Sequence, residues 1–283
     1  MKTFLELTKP GITRMVVLTA TAGFVLGTTG EIDLVLLVSL LVGTGLVASG
    51  TNALNQWWER DVDALMRRTR HRPLPSGRIG QGPALVFGAG LAAVGCAELF
   101  LLVNPLTALL AFLTVVSYVL VYTPLKRKSP LATIVGSFPG ALPILGGWTA
   151  ARDALSLEGW VLFNIMFLWQ VPHFLALGWM YREDYRRGGL KMLSVVDPTG
   201  GSSGRQALLY ALALLPASLM PGIWGLTGAA SLIAGSALGA LLVGTAYSFA
   251  REATSGRARR LFLASLAYLP VLLGVMIVER LAA

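Results

Sequence analysis

Cysteine is nearly missing from this sequence. The single thiol, Cys96, excludes an intramolecular disulfide and fits neither a disulfide framework nor a Cys-built metal site. Set in LAAVGCAELFLLV, it reads as a packed or lipid-buried thiol with no redox role. Charge is scarce as well. Charged residues make up 13% of the chain, where a soluble globular protein carries about 25%, and 55% of the residues are hydrophobic. With a mean hydropathy of +0.68, a chain of this balance belongs in a bilayer. The amino end, MKTFLELTKPGITRMVV, lacks the basic start, short apolar core and small-residue cleavage pattern of a secretory signal, so it is expected to belong to the mature protein. No soluble basic domain accounts for the formal charge of +9, because the basic residues fall in short clusters between apolar runs; this excludes nucleic acid as a partner. Nor is there a convincing internal repeat. Residues 1–283 read as one polytopic membrane domain.

What the chain does have is long apolar runs. A helix needs about 20 mostly apolar residues to cross about 30 Å of hydrocarbon. Nine runs qualify, at roughly 12–30, 34–56, 83–103, 106–123, 131–150, 157–180, 205–223, 226–249 and 261–281, with tight hairpins expected at Asn104-Pro105 and Pro221-Gly222. Of the 23 Lys and Arg residues, all but Arg152 and Arg280 fall on one side of this arrangement. Cytoplasmic loops hold the excess of basic residues, so the reading is an all-α integral membrane protein with its amino terminus inside and, after nine crossings, its carboxyl terminus outside. Glycines in GTGLVASG and GSFPGALPILGG suit close helix packing. Pro139, Pro143 and Pro172 are expected to kink their helices and open a cavity.

Polar residues concentrate in the inside loops. Asn55, Glu59 and Asp63 stand at i, i+4 and i+8; a helix continuing through Asp63 places them on one face over about 12 Å. Two carboxylates and an amide at a membrane boundary are costly unless a cation joins them. Mg²⁺ favours such oxygen ligands and is commonly shared with substrate phosphates. Arg67, Arg68, Arg70 and Arg72 follow, suited to holding phosphate oxygens in pairs of hydrogen bonds. The bland alternative is a solvated helix end with topogenic arginines. In the sixth span and the segment after it, PHFLALGWMYREDYRRGGLKMLSVVDP supplies Asp184 as a second metal carboxylate, with Arg182 and Arg187 beside it. Glu183 reads as a salt-bridge partner and Asp197 as a cap or turn residue. Tyr181 and Tyr185, one turn apart, could orient phosphate or carboxylate groups. His173, inside an apolar segment, could act as a metal ligand, a base or a hydrogen-bond partner of another helix. His71 reads as a neighbour of the anion site or a solvated loop residue. In VYTPLKRKSP, Tyr122, Lys126 and Arg127 could reach an anionic substrate.

Several of these segments carry a resemblance. The Asn55/Glu59/Asp63 spacing is similar to the first Asp-rich motif of the UbiA-type prenyltransferases. DALMRRTRHRPLPSGRI resembles the stretch that marks the heme O synthases within that family, whose pattern also has a glutamate where Glu59 stands and much of the wider family has Asp. PHF, YREDYRRGG, YTPLKR, GSFPGALPILGGWTA and LTKPGITR are similar to matching heme O synthase segments, and matches from about residue 5 to 200 cover some two thirds of the chain. The resemblance adds Lys9 as a phosphate-binding candidate and leaves the role of His173 open among ligand of heme iron, base and packing residue.

It implies a UbiA-type bundle in the cell's inner membrane with a cytoplasmic active site, moving a farnesyl group from farnesyl diphosphate to a vinyl carbon of heme B, with hydration. Mg²⁺ is the implied cofactor and heme B a substrate. Farnesyl diphosphate, heme B and the bilayer are the expected partners, with a downstream heme A synthase as a further candidate. From the residues alone, Trp148, Trp169, Phe174 and Trp179 could enclose the farnesyl chain. Two alternatives stay open: prenylation of a quinone precursor or other aromatic acceptor, and a transporter, which would place its binding groups near the bilayer midplane.

Overall fold

The computed structural model describes residues 2–282, and among these there is helix but no strand. Nine helices are long and apolar enough to span: α1 Pro10–Gly27, α2 Leu34–Leu65, α3 Gln81–Leu102, α4 Pro105–Leu125, α5 Ala132–Arg152, α6 Leu157–Met180, α7 Gly201–Ile223, α8 Ala229–Arg251 and α9 Ser255–Ala282. Short helices at Lys2–Leu7, Arg182–Arg187 and Leu193–Val196 lie between or before them. All nine expected spans are matched, most with shifts of a few residues at their ends; α2 runs nine residues further, to Leu65, and α9 begins six residues earlier, at Ser255.

The ends follow capping chemistry. Asp33 opens α2 by accepting from the Val35 and Leu36 amides at 2.9 and 3.0 Å. Asn104 opens α4 by accepting from the Thr107 amide at 2.7 Å, while Pro105 fills the first helical position, where a missing N–H costs nothing. The second expected hairpin lies later than its Pro-Gly pair suggests. Helix α7 continues through Pro221 to Ile223, and the turn uses Gly225 at φ 74, with the Pro221 carbonyl accepting from Leu226 and Thr227.

Helix α2 has 32 residues, about 48 Å at 1.5 Å per residue, and so outruns a hydrocarbon slab of about 30 Å. Its last turns project beyond the apolar layer on the basic face. That projection carries the polar face of the site.

Packing is tightest where small residues let backbones meet. A Cβ at Gly147 would run into the Ala20 carbonyl and one at Gly23 into the Ile144 carbonyl, so α1 and α5 cross in direct backbone contact. Helices α2 and α3 pair, α6 packs on α5, α7 and α9, and α9 returns to α6 and α1 to close the bundle. The principal core, with Trp148, Leu162, Phe249 and Tyr268 fully buried, lies among α5–α9 and takes in Ala22 and Leu26 of α1. Pro139, Pro143 and Pro172 stay inside continuous helices. Pro139 and Pro143 line a cavity of about 490 Å³ bounded by α1–α6 and α9.

Candidate active site

The helix carrying Asn55, Glu59 and Asp63 does run unbroken past them, and all three side chains are buried. Counting from Leu34, Asn55 lies about 32 Å along α2, so the trio sits at one membrane boundary and away from the midplane. This location disfavours the transporter reading.

Each member of the trio has a basic partner. Lys9 Nζ donates to Asn55 Oδ1 at 2.8 Å, Lys126 Nζ to Glu59 Oε1 at 2.8 Å, and Arg72 Nη1 to Asp63 Oδ2 at 2.7 Å. Asn55 Nδ2 then donates to Glu59 Oε2 at 3.0 Å and to Thr123 Oγ1 at 3.2 Å, tying the face together. Asp63 is wholly inaccessible, and its Oδ1 has no hydrogen-bond partner. A buried carboxylate oxygen left without a donor is rare and calls for an occupant.

Lys9 and Lys126 feel this environment in opposite directions. Burial, reinforced by Arg72 and Lys126 nearby, lowers the Lys9 ammonium to a pKa of about 7. Burial also works against charge on Lys126, but Glu59 and Tyr122 outweigh it and hold the group well above its ordinary value. Lys9 has a left-handed backbone, φ 47 and ψ 68, immediately before Pro10, a position that normally favours extended geometry. Strain of this kind, of order 1–3 kcal/mol, persists where surrounding contacts over-determine it.

The second cluster meets the first. Asp184 Oδ1 and Oδ2 accept from the Arg67 and Arg68 amides at 3.2 and 3.3 Å, in the turn that follows Asp63. Arg187 lies 3.6 Å from the same carboxylate. Lys191 N donates to the Lys126 carbonyl at 2.8 Å, fastening this loop to the one carrying Lys126. Arg68 packs over the rings of Tyr181 and Tyr185 at 4.7 and 5.8 Å, so these tyrosines present their faces to a guanidinium. Arg182 instead covers Trp179, and Arg67 and Arg127 are exposed. Glu183 pairs with Arg186 at 2.7 Å, and Asp197 caps α7.

Behind this polar face opens the apolar cavity. Tyr118, Tyr122 and Asn52 border its polar end, and Met15, Val16, Leu110, Leu142, Trp169 and Phe174 line its walls. Of the four aromatic residues expected around a farnesyl chain, Trp169 and Phe174 are there. Trp148 and Trp179 are not among its lining residues: Trp148 is 1% exposed in the core against Gly159, and Trp179 packs on Phe249. Both occupy the core because the small residues facing them, Gly159 and Gly200, leave room for an indole.

Three residues here had no signal in the sequence. Tyr118 and Thr123 are aimed by a π-helical turn, Ser117–Tyr122, within α4, closed by Thr123 Oγ1 donating to the Tyr118 carbonyl at 2.8 Å. Ser265 comes from α9, a helix whose sequence is otherwise uninformative, and meets His173 in the cavity wall. No group of three or more His, Cys, Asp or Glu residues converges among the described residues. A cation here must draw on Asn55, water and substrate oxygens as well as carboxylates, which suits Mg²⁺.

Known proteins resemble this chain in sequence and in fold. The model of the UbiA prenyltransferase family matches residues 16–269. A protoheme IX farnesyltransferase of Solibacter usitatus is 44% identical over 99% of both chains, and one of Opitutus terrae is 42% identical over 98% of this chain and 94% of its own. A solved digeranylgeranylglyceryl phosphate synthase superposes with a TM-score of 0.85 at 19% identity, covering 100% of this chain and 99% of its own. A UbiA homolog from Archaeoglobus fulgidus, bound to GPP and Mg²⁺, superposes at 0.72 with 15% identity over 99% and 98%. The structural likenesses carry the fold, the sequence relatives carry the lineage, and the chain belongs to the UbiA prenyltransferase family.

Proposed function

We propose that this multi-pass membrane enzyme transfers the farnesyl group of farnesyl diphosphate to a vinyl carbon of heme B, with water supplying the hydroxyl of the new side chain. The acceptor follows from the relatives, which carry the name protoheme IX farnesyltransferase over nearly the whole chain. The site supports a prenyl diphosphate as the donor. Its supporting observation is the three-for-three pairing of Asn55, Glu59 and Asp63 with Lys9, Lys126 and Arg72 beside an apolar cavity.

The pairing supplies a mechanism. An entering diphosphate offers the three basic side chains a more highly charged partner, and they transfer to phosphate oxygens, Lys9 from the Asn55 amide and Lys126 and Arg72 from the carboxylates of Glu59 and Asp63. Asn55, Glu59 and Asp63 would then be free to hold Mg²⁺, and the buried unpartnered Asp63 Oδ1 fits that role; Asp184, whose oxygens accept from the Arg67 and Arg68 amides, would join them by giving up those bonds. When bound, the ion neutralises charge on the departing diphosphate. The C1–O bond of the substrate breaks, and its electron pair leaves with the diphosphate toward Lys126, Lys9 and Arg72. Arg67, Arg182, Arg187 and Arg127 on the same face extend the field that attracts the anion. The allylic cation lies against Tyr122, Trp169 and Phe174, whose ring faces stabilise it while the walls exclude water. The vinyl π electrons attack C1; water captures the resulting cation beside the porphyrin, and a proton is released.

On the positive-inside argument, the site faces the cytoplasm of the cell's inner membrane. The test is incubation of the purified protein in lipid with heme B, farnesyl diphosphate and Mg²⁺. A later-eluting heme product that requires all three supports the reading. Prenylation of an aromatic acid with heme left unchanged rejects it in favour of a quinone-precursor enzyme, and substrate translocation across proteoliposomes without diphosphate release would return the transporter.

A further inference from the structure

His173 stands in the cavity wall, about two turns before the end of α6, and its surroundings decide how it can act. Its Nδ1 lies 2.9 Å from Ser265 Oγ. That hydroxyl is also 2.6 Å from the Phe262 carbonyl, an acceptor only, so the single hydroxyl proton is committed there. The proton between serine and histidine must therefore come from the imidazole. This fixes the tautomer with hydrogen on Nδ1 and leaves Nε2 as a bare lone pair. The imidazole lines the cavity, and no described residue bonds Nε2.

Ser265 is itself held. Trp169 Nε1 donates to its carbonyl at 2.7 Å, so both polar groups of Ser265 serve α6. The imidazole lies between the Trp169 ring, at 5.0 Å and 24°, and the Phe262 ring, at 4.8 Å and 31°, with Phe174 at its edge. The ring can neither rotate nor tilt freely. No acidic side chain touches it among the described residues, so nothing balances an imidazolium, and a role as proton acceptor is disfavoured in an apolar wall. A fixed, neutral imidazole whose far nitrogen is oriented by a hydrogen bond on the near one is the arrangement of a metal ligand.

We infer that His173 Nε2 is the axial ligand of the heme iron, seating the acceptor substrate in the cavity, and that Ser265 is the positioning residue that sets its tautomer and direction. The inference rests on heme being the acceptor. Imidazole is an established ligand class for heme iron. The iron is the one atom of the acceptor that a lone pair in an apolar wall can grip, and a single bond to it fixes the depth of the macrocycle beside the prenyl site.

Titration of the full-length protein in lipid nanodiscs with ferric heme B tests this by optical and electron paramagnetic resonance spectra. Only two histidines exist in the chain, so the assignment is direct. The expected result is an imidazole-ligated spectrum that His71→Ala keeps, His173→Ala loses and His173→Gly regains on addition of free imidazole. Ser265→Ala should weaken heme binding by about tenfold and move the ferric/ferrous midpoint, with Ser265→Thr restoring both. An imidazole signature that persists in His173→Ala overturns the inference, as does failure of free imidazole to restore it in a folded His173→Gly protein. A wild-type protein that binds no heme removes the acceptor assignment as well. One that binds and farnesylates heme, with an unchanged spectrum after His173→Ala, removes only the iron ligand.

Discussion

Asp63 and Glu59 differ in how completely they are committed. Glu59 has both oxygens bonded, to Lys126 and Asn55, whereas Asp63 keeps one buried oxygen free. Asp63→Ala and Glu59→Ala are each expected to abolish turnover while the protein still inserts and folds, measured by heme product formation alongside circular dichroism. Full activity in the Asp63 variant would remove it from the site. The ion pairs allow a stability test independent of catalysis. Glu59 and Lys126 side chains are only 10% and 12% exposed. Removing one member of a buried pair strands the other charge, at a cost of about 3–5 kcal/mol, whereas removing both costs much less. Lys126→Met should therefore lower the unfolding temperature in detergent more than Lys126→Met with Glu59→Gln; equal or additive losses would show that the pair is effectively solvated. These carboxylates were legible in the sequence because a 3.6-residue period puts i, i+4 and i+8 on one face. Tyr118, Thr123 and Ser265 were not. A π-turn has no signature in SYVLVY, and the worth of one serine in an apolar helix depends on a histidine 92 positions away.

At the scale of elements, helix starts decide where the site loops are pinned. Asp197 terminates the connection that carries the Arg182–Arg187 helix, and Asp184 with it, and opens α7. Its carboxylate accepts from the Gly200, Ser202 and Ser203 amides at 3.2, 2.7 and 3.2 Å and from the Thr199 hydroxyl at 2.9 Å. Partial burial alone would raise this carboxyl, but those donors prevail and hold it below the ordinary aspartate value. A depressed folded-state pKa gives stability that is present above the unfolded value of about 3.9 and is lost as pH falls through the folded value. Asp197→Ala should therefore cost about 1 kcal/mol at pH 7, and the gap between variant and wild type should close on acidification below about pH 4. A gap that stays constant to pH 3 would assign the loss to packing. Caps of this kind could be read from sequence at Asn104-Pro105, where an acceptor and a proline act together. Pro221-Gly222 misled because proline removes one N–H from a helix and does not itself supply a terminator. The stop came at Gly225, whose positive φ no L-residue adopts cheaply.

Taken whole, the molecule is polarised. The nine spans were legible from apolar run length, and the charge pattern marks the same end of the bundle where Lys9, Arg72, Lys126 and Asp184 meet. The prolines of α5 signalled that a cavity would open, but its lining was not legible, because it draws on seven helices, α3 through Leu99 alone, and their convergence depends on crossing geometry that backbone contacts such as Gly147 against Ala20 determine. The polarity makes the orientation testable. With Cys96→Ala as background, Lys128→Cys lies on the basic face and Ala154→Cys on the opposite one, both at exposed positions. A membrane-impermeant thiol reagent applied to intact spheroplasts should label Ala154→Cys and leave Lys128→Cys unlabelled until the membrane is permeabilised. The reverse pattern would put the diphosphate site outside. Because cytosolic prenyl diphosphates are charged and do not cross the bilayer unaided, that outcome would also force a different source for the donor, so the labelling experiment tests the chemistry of the site together with its topology.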